Sequence, residues 1–314
     1  MHTAFLFPGQ GSQSVGMGRA LAESFAAARD VFEEVDEALK QKLSTLTWDG
    51  PESELVLTEN AQPAIMASSL AVIRVLEREA GFDIARRVRL VAGHSLGEYS
   101  ALAAAGSFTL ADAARLLRTR GLAMQGAVAP GEGAMSALIG IELIDAEAAA
   151  LESAAQGGVC VVANDNAPGQ VVISGTKEAV GRGGDFAKAK GARRVIPLSV
   201  SAPFHCPLME PAARRMHDAL AEITIRPPAV PIVCNVTATE TAEPETIRRL
   251  LVEQVTSRVR WRESVLSFRA LGVDRTVEAG GNKVLTGMVK RIDAELATLS
   301  LDTPADIEAY VRTL

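Results

Sequence analysis

The sequence predicts an α/β fold in which a large domain with a parallel sheet is interrupted by a small ferredoxin-like domain. Its 314 residues suit two domains at roughly 100 to 200 residues each. Hydrophobic residues make up 48% of the chain and aromatic residues only 4%, so the apolar side chains are mostly aliphatic, as suits helices packed on a sheet. From about residue 134 the apolar pattern follows the order βαββαβ, that of a ferredoxin-like unit.

Strands and helices alternate in the first part of the chain. A short apolar run ends in the glycine-rich turn 8–13, and a stripe with spacings of three and four residues then predicts a helix. Proline, glycine and the capping pattern of Thr109 and Asp112 delimit the later helices. The predicted elements are a strand at Thr3–Phe7, a helix through Leu21–Leu39, a helix from Pro63 to Gly81, a strand at Val88–Ala92, and helices at Glu98–Ala105 and from Thr109 to Gly121.

Residues 128–199 form the predicted small domain, which leaves a discontinuous large domain of residues 1–127 and 200–314. The small domain is expected to contain strands Met135–Ile141, Val159–Ala163, Gln170–Ser174 and Arg194–Leu198 with helices Ala146–Ala155 and Thr176–Lys190. The large domain resumes with strands at Val200–Pro203, Ile232–Asn235 and Thr276–Glu278 and a helix at Pro211–Ile223.

The composition argues against several classes of protein. Lys and Arg number 32 against 38 Asp and Glu, a formal charge of −6, so no cationic excess exists for binding nucleic acid in general. The three cysteines are odd in number and lack paired spacing, so neither disulfides nor a metal site is expected. The start of the chain lacks a signal-peptide pattern, and no run of roughly 18 apolar residues occurs. We therefore expect a cytoplasmic protein without a membrane span.

Gly93–Gly97 fits the pattern GxSxG directly after a predicted strand and before a predicted helix. This is the context of a nucleophile elbow, in which flanking glycines permit a sharp turn that exposes the serine hydroxyl. Ser95 would also lie at a helix amino end, where unpaired N–H groups stabilise negative charge. The motif predicts an α/β-hydrolase-like large domain with Ser95 as its nucleophile.

A serine needs a neighbouring base, and histidine is best suited to that task near neutral pH. The chain has four histidines. His2 is terminal, His217 lies within a predicted helix, and the side chain of His94 diverges from that of Ser95. His205 remains, in a loop between two prolines after a predicted strand, where catalytic groups are commonly held.

The glycine loop at residues 9–13 does not fit a nucleotide site. A Walker motif needs Lys where Met17 stands, and a dinucleotide motif needs Gly where Ser14 stands. The loop could instead bring a backbone N–H close to a reacting oxygen, as one wall of an oxyanion hole.

Three arginines, Arg115, Arg118 and Arg120, crowd the helix predicted to end at Gly121. Arginines on a helix usually belong to its solvated face. One that points inward would offer a planar fork for a substrate carboxylate.

Seven dispersed motifs occur in a recognisable order. They are Phe7–Gln13, Gly93–Glu98, Arg120 with Gly121, Asn166 with Pro168–Gly175, Pro203–Met209, Gln254, and Val284–Met288 with Lys290 and Arg291. With them, the sequence resembles the malonyl-CoA:acyl carrier protein transacylases of fatty-acid synthesis along nearly its whole length. This resemblance also implies the two-domain fold, with the site in the cleft between the domains.

The resemblance implies a role for each matching residue. Ser95 would be the nucleophile and His205 the general base and later acid. The substrate-binding residues would be Arg120, as the ligand of the malonyl carboxylate, with Gln254, Asn166 and Phe204, and the oxyanion hole would consist of the N–H groups of Gln10 and Leu96. The region of Gln254 would hold His205 through a backbone carbonyl.

That carbonyl would take the place of the acidic residue found in the usual serine hydrolase. Four aspartates between the serine and the histidine look like helix-start, loop or surface residues, namely Asp112, Asp145, Asp165 and Asp185. The resemblance therefore implies a Ser–His dyad.

Two positions bear on the family pattern in different ways. Gly280-Gly281-Asn282 replaces the more usual Gly-Pro, a departure that concerns loop geometry more than chemistry. Phe204 matches the bulky residue of malonyl-selective relatives and argues against branched substrates such as methylmalonyl groups.

The implied partners are malonyl-CoA and holo acyl carrier protein, with a monomeric enzyme, no nucleic acid and no membrane. No cofactor is expected, because CoA and phosphopantetheine enter as parts of substrates. An acidic carrier protein would dock on a basic patch, for which the candidates are Lys188, Lys190, Arg193, Arg194, Arg258, Arg260 and Arg262.

Other functions stay open on the sequence alone. The same chemistry serves a stand-alone polyketide acyltransferase or a malonate decarboxylase subunit. A serine thioesterase or esterase would use water in place of the carrier thiol. A non-catalytic acyl-binding or scaffold protein would not need Ser95, His205 and Arg120 together.

Overall fold

The computed structural model describes residues 2–200 and 202–314, in which ten strands form two sheets. The strands are β1 (Thr3–Phe7), β2 (Val88–Gly93), β3 (Gly133–Ile139), β4 (Cys160–Ala167), β5 (Gln170–Thr176), β6 (Arg194–Pro197), β7 (Ile232–Val233), β8 (Glu240–Thr241), β9 (Arg275–Ala279) and β10 (Ala297–Leu301).

Helices cover both faces of the larger sheet and one face of the smaller. They are α1 (Arg19–Ser24), α2 (Ala26–Leu39), α3 (Leu43–Asp49), α4 (Glu52–Leu55), α5 (Thr58–Ala80), α6 (Ile84–Arg87), α7 (Gly97–Ala104), α8 (Leu110–Gln125), α9 (Leu143–Ala154), α10 (Lys177–Ala189), α11 (Glu210–Ala221), α12 (Pro244–Glu253), α13 (Trp261–Ala270), α14 (Val284–Ile292) and α15 (Pro304–Val311). Short 3₁₀ turns occur at Pro207–Met209 and Gly281–Lys283.

The larger sheet has the strand order β10-β9-β1-β2-β7-β8, and all pairs are parallel except β7 with β8. Strand β1 is buried along its whole length between two partners, as its uninterrupted apolar sequence requires. Phe7 pairs with Gly93 at the carboxyl ends of β1 and β2. The glycine loop after β1 and the elbow after β2 therefore leave the sheet side by side.

The smaller sheet is antiparallel, with the order β4-β5-β3-β6. Its strands and the helices α9 and α10 follow one another as βαββαβ, so the predicted fold class is confirmed. Edge strand β4 reaches the rest of the molecule, where Val259 N donates to Ala163 O at 2.8 Å and Asp165 N donates to Val259 O at 3.0 Å. The proposed domain boundaries at residues 127/128 and 199/200 stay a prediction.

The prediction that a helix follows Pro63 is wrong about its start, because α5 begins at Thr58 and contains Pro63. Proline has no N–H for the carbonyl four residues earlier, that of Glu59. Arg118 on α8 donates to this oxygen at 2.9 Å. A neighbouring helix thus satisfies the acceptor that the proline leaves unpaired.

Gly121 does not end its helix, as the sequence predicts, because α8 continues to Gln125. A Cβ on Gly121 would lie 2.5 Å from Glu59 Cα and 2.7 Å from Glu59 N. The glycine lets α8 pack directly against the start of α5, a role that its position along the chain cannot reveal.

Three further expectations differ from the structure. The helix predicted through Leu21–Leu39 is broken at Phe25, which is extended, although the apolar stripe continues across the break. No strand occurs at Val200 or at residues 202–203, and Ser201 lies outside the described residues. Strands β8 and β10 have no counterpart in the prediction, because both are short or partly exposed and lack a continuous apolar run.

Candidate active site

Ser95 occupies the turn between β2 and α7 with φ at +53°, in the left-handed region that is rare for residues other than glycine. A Cβ on Gly93 would lie 1.9 Å from the backbone of Gly97, and one on Gly97 would lie 2.1 Å from Phe7 O. Both glycines are therefore required by the sharp turn, as expected of a nucleophile elbow.

Asn235, just after β7, holds this turn from both sides. Its Oδ1 accepts from Ser95 N at 2.7 Å, and its Nδ2 donates to Gly93 O at 2.7 Å. The side chain is fully buried. From the sequence, Asn235 ends a predicted strand and has no predicted function; the available signal is a polar amide at the end of an apolar run.

His205 contacts the hydroxyl of Ser95, with 2.8 Å between Nε2 and Oγ. Its Nδ1 lies 2.9 Å from the backbone oxygen of Gln254. Because a carbonyl only accepts, Nδ1 carries the hydrogen, and Nε2 is left to accept from the serine. Like Ser95, His205 has a positive φ, +57°.

The imidazole of His205 is held in its neutral form. Burial, followed by the charge of Arg120, lowers the pKa of His205 from its ordinary value of 6.5 to about 3. A neutral imidazole accepts the hydroxyl proton, as a general base must.

Arg120 on α8 is the arginine that reaches Ser95, and its side chain is 1% exposed. Its Nη2 donates to Ser95 Oγ at 3.1 Å and to Gln254 Oε1 at 2.9 Å, and its Nη1 donates to Gln62 Oε1 at 2.8 Å. The guanidinium also lies 5.7 Å from the ring centroid of Tyr99. A buried cation therefore lies directly beside the hydroxyl of Ser95, and Gln62, which no sequence motif indicates, helps to fix it.

The other two arginines of this helix have structural contacts away from Ser95. Arg115 forms an exposed pair with Asp112 at 3.3 Å, and Arg118 bonds Glu59 O and Asn60 Oδ1. Of the three arginines singled out in the sequence, Arg120 alone is brought to the serine.

Glu98, in the first turn of α7, is a buried carboxylate beneath the site. Its Oε1 accepts from Asn235 N at 2.9 Å, and its Oε2 accepts from Gln254 Nε2. Burial raises the pKa of Glu98 from 4.5 to about 7, although these hydrogen bonds and the charge of Arg120 act in the opposite direction.

The backbone N–H groups of Gln10 and Leu96 have no acceptor in the described part of the chain. The N–H of Ser95 is not available, since it donates to Asn235. The loop of Gln10 lies against the elbow, because a Cβ on Gly9 would be 2.6 Å from His94 O. This arrangement leaves one unpaired donor in each of the two adjacent loops.

Asn166 and Phe204 have different surroundings. Asn166, on β4, contacts His94 with 2.8 Å between Oδ1 and Nε2, so the small sheet reaches the elbow through the residue next to the serine. Phe204 precedes His205 in the chain and is 7% exposed among the residues of the main hydrophobic core.

The aspartates do not complete a triad. Asp112 follows the cap of α8, Asp145 lies in the first turn of α9, and Asp185 forms an exposed pair with Lys188. The expectation for Asp165 as a surface or loop residue is wrong, because it is fully buried in β4 with its Oδ2 3.0 Å from Arg262 Nε. That arginine, and not a histidine, is the partner of its charge.

Most cations of the candidate docking patch are paired with carboxylates. The pairs are Lys188 with Asp185, Lys190 with Glu152, Arg258 with Glu147, Arg260 with Glu263, and Arg262 with Asp165. The local charge is therefore closer to balanced than the sequence suggests.

Residues 2–200 and 202–314 contain no cluster of three or more His, Cys, Asp or Glu side chains that could bind a metal ion. None of the helices in this part of the chain combines the length and apolar character needed to cross a membrane. Its three cysteines are buried and unbridged.

A serine at an elbow, a neutral histidine on its hydroxyl and two nearby N–H groups without acceptors are together typical of acyl-transferring serine enzymes. Residues 4–295 match the family described as acyl transferase domain, and the chain is an acyltransferase. It is 44% identical over 311 residues to the malonyl CoA-acyl carrier protein transacylase of Bacillus subtilis strain 168, covering 99% of this chain and 96% of the relative.

Solved structures agree with this similarity. The acyl-carrier-protein-S-malonyltransferase of Bartonella henselae has a TM-score of 0.97 and 53% identity, over 100% of this chain and 99% of that one. A malonyl-transacylase in complex with a type II PKS acyl-carrier protein has a TM-score of 0.96 and 42% identity, over 100% of both chains. The chain belongs to the family of malonyl CoA-acyl carrier protein transacylases.

Proposed function

We propose that this enzyme transfers the malonyl group of malonyl-CoA to the phosphopantetheine thiol of holo acyl carrier protein, for fatty-acid elongation. One observation carries the proposal: Ser95 Oγ lies between a neutral base, His205 Nε2 at 2.8 Å, and a buried cation, Arg120 Nη2 at 3.1 Å. A base activates the serine, and the cation suits an acyl group that bears its own carboxylate.

In the first half-reaction Ser95 Oγ attacks the thioester carbonyl carbon while His205 Nε2 takes the hydroxyl proton. The carbonyl oxygen becomes an oxyanion, which the N–H groups of Gln10 and Leu96 stabilise. Collapse of this intermediate breaks the C–S bond, and His205 returns the proton to the CoA sulfur. The malonyl group is then an ester of Ser95.

In the second half-reaction the carrier's thiol gives its proton to His205 and attacks the ester. The C–O bond to Ser95 breaks, and the protonated His205 restores the serine hydroxyl. The backbone oxygen of Gln254 holds the imidazole in place throughout, since Nδ1 keeps its hydrogen. Both steps use the chain's own side chains and the two thiols of the substrates, with no cofactor.

Arg120 would bind the free carboxylate of the malonyl group. Its guanidinium is oriented by Gln62 and Gln254, and a preoriented fork loses little freedom when it binds a carboxylate. Asn166 at the elbow and the bulky Phe204 beside His205 would bound the acyl pocket and disfavour branched malonyl groups. We further propose that the protein is a cytoplasmic monomer. In the reducing cytoplasm its three buried cysteines would stay as thiols.

Intact-mass measurement after mixing with malonyl-CoA tests the first half-reaction. We expect a malonyl adduct on the wild-type enzyme and none on Ser95→Ala; an adduct that persists in the variant would overturn the assignment. Addition of holo carrier protein should discharge the adduct onto its thiol. Release to water faster than transfer would instead indicate a thioesterase.

A further inference from the structure

The side chain of Gln254 joins three functional groups in the buried centre of the site. Its Oε1 accepts from Arg120 Nη2 at 2.9 Å. Its Nε2 donates to the backbone oxygen of Ser95 at 2.9 Å and to the carboxylate of Glu98. The amide therefore has a cation on one side and two acceptors on the other.

A carboxamide can turn by 180° and exchange its oxygen for its nitrogen, so its orientation has to be imposed by its neighbours. The guanidinium of Arg120 only donates, and an ionised Glu98 only accepts. Together with the carbonyl of Ser95, which also only accepts, they permit one orientation of Gln254. In the other, two donors would meet at Arg120 and two acceptors would meet at Glu98.

Glu98 is itself held against rotation. Its second oxygen accepts from the backbone N–H of Asn235 at 2.9 Å, and Asn235 is the residue whose side chain holds the elbow. No ion pair joins Glu98 to Arg120 among the described residues, because Gln254 lies between them. Glu98 thus balances the buried charge of Arg120 without occupying its fork.

We propose that Glu98 is a positioning residue that sets the malonyl selectivity of the enzyme by fixing the amide of Gln254 and, through it, the guanidinium of Arg120. The inference rests on the proposed function, in which Arg120 binds the malonyl carboxylate. Glu98 does not touch the substrate in this scheme. Its effect should therefore concern acyl groups that carry a carboxylate more than those that do not.

The substitution Glu98→Gln tests this positioning role with almost no change in the shape of the side chain. The new side chain has one acceptor, which the fixed N–H of Asn235 requires, so its amino group must face Gln254. Two amino groups then meet. Either Gln254 turns, which places its oxygen against Ser95 O and its amino group against Arg120, or the two side chains separate; in both cases the guanidinium held by Gln254 is displaced. Because a misplacement of about 1 Å can cost roughly 100-fold in rate, we expect a loss of about that size in kcat/KM for malonyl-CoA.

Acetyl-CoA is the comparison substrate, since it has no carboxylate for Arg120. Slow transfer of acetyl groups should fall much less in Glu98→Gln, so that the malonyl-over-acetyl preference drops by at least tenfold. If kcat/KM falls equally for both substrates, Glu98 has a merely structural role. If kcat/KM is unchanged for both, Glu98 has no role in the reaction. Either result overturns the proposal. If the wild-type enzyme forms no malonyl adduct, the proposed function fails independently of Glu98.

A charge-conserving variant keeps the test decisive. Glu98→Asp keeps the charge and should keep the malonyl preference even where the overall rate falls. Loss of this preference in a folded Glu98→Asp variant contradicts the positioning role.

Glu278 offers a matched control at another buried carboxylate. It lies in β9, fully buried, and accepts from Leu285 N at 3.0 Å and Thr286 N at 2.7 Å. Glu278→Gln should change stability without changing the ratio of malonyl to acetyl transfer. A similar fall of this ratio in Glu278→Gln would show that any buried carboxylate has the effect, and would overturn the specific role of Glu98.

Discussion

His205 Nδ1 lies 2.9 Å from the backbone oxygen of Gln254, so the imidazole of the proposed general base is oriented by a main-chain atom and not by an acid. The carbonyl has no charge and does not titrate. It therefore fixes the tautomer of the histidine, and this hydrogen bond raises the pKa of His205 less than burial or the charge of Arg120 lowers it. Burial and the charge of Arg120 then lower the pKa of His205 to about 3.

The first prediction concerns the pH dependence of acylation. A histidine of ordinary pKa, 6.5, would be about 3% neutral at pH 5 and would lose most of its activity there. With its pKa lowered, His205 stays neutral, and we expect kcat/KM for acetyl-CoA to be nearly constant between pH 7 and pH 5. Rapid-quench mass spectrometry of acylated Ser95 measures this rate.

Malonyl-CoA should respond differently in the same experiment. The pKa of Glu98 is about 7, so acidification protonates the group that orients Gln254 and Arg120. A fall in rate near pH 7 that affects malonyl but not acetyl transfer belongs to Glu98. A common fall for both substrates near pH 6.5 would contradict the low pKa of His205.

The second prediction concerns stability between pH 4.5 and 6.5. In this range His205 binds a proton only when unfolded, so its contribution to stability is full above pH 6.5 and is lost as the pH falls toward 3. Glu98 keeps a proton only when folded, so its contribution is full below pH 4.5 and is lost as the pH rises through 7. The contributions of His205 and Glu98 to the free energy of unfolding therefore change with pH in opposite directions, each by about 1.4 kcal/mol per pH unit. In the wild type these two changes nearly cancel.

Single variants should expose these slopes in urea unfolding at pH 5 and pH 6. As the pH rises from 5 to 6, the free energy of unfolding of His205→Gln is expected to fall by about 1.4 kcal/mol relative to wild type. That of Glu98→Gln is expected to rise by a similar amount. The double variant should follow the wild type. Parallel curves for all four proteins would show that neither group titrates as described.

The third prediction concerns Asn235, which pairs both backbone groups that flank the nucleophile. Asn235→Ala leaves Ser95 N and Gly93 O without these partners, and each buried unpaired group costs about 1–3 kcal/mol. We expect about 2–4 kcal/mol less stability and a drop of roughly 100-fold in acylation, since the turn at Ser95 relaxes.

A cap variant separates stability from geometry in this experiment. Thr303 accepts from Asp306 N in the capping box of α15, and Thr303→Ala should cost about 1 kcal/mol with the acylation rate unchanged. If Asn235→Ala acylates at the wild-type rate, the side chain does not maintain the elbow.

The fourth prediction concerns Gly121, the position where α8 meets α5. Gly121→Ala places a methyl group 2.5 Å from Glu59 Cα, and separation of the helices should cost about 1–3 kcal/mol. Arg120 on one helix and Gln62 on the other would move apart, so KM for malonyl-CoA should rise. Calorimetry and steady-state kinetics measure the two effects.

Gly287 in α14 is the matched position, because a Cβ there would meet nothing within 4 Å. Gly287→Ala is expected to gain about 0.5–1 kcal/mol from the greater helix propensity of alanine. KM should not change in this variant. If the KM of Gly121→Ala also equals that of the wild type, α8 tolerates the methyl group without moving Arg120.

The parts of the site that local pattern encodes could be predicted from the sequence. The elbow at Ser95 depends on glycines two residues away on either side, and His205 followed by elimination from four histidines. The contacts of Gln62, Asn235 and Glu98 cannot be predicted in this way, because each has its partner more than 50 residues away in the chain. The direction of an amide side chain is also defined only in the folded site.

The errors have a common physical origin. The sequence predictions for Gly121 and Pro63 rest on an isolated helix, which glycine tends to end and proline tends to begin. In the structure the contact between α5 and α8 decides both positions. Asp165 likewise looks like a loop residue until Arg262 is placed beside it. Local propensities are weak wherever packing between elements is close.

The parallel sheet also governs when the enzyme can first become active during its synthesis. Central strand β1 is made well before its partner β9, which ends at Ala279. Ser95 is likewise translated long before Gln254, whose carbonyl orients His205. A nascent chain that still lacks Gln254 and β9 exposes one edge of β1 and leaves His205 without this partner. Ribosome-bound chains that end before Ala279 should therefore remain inert toward acyl-CoA.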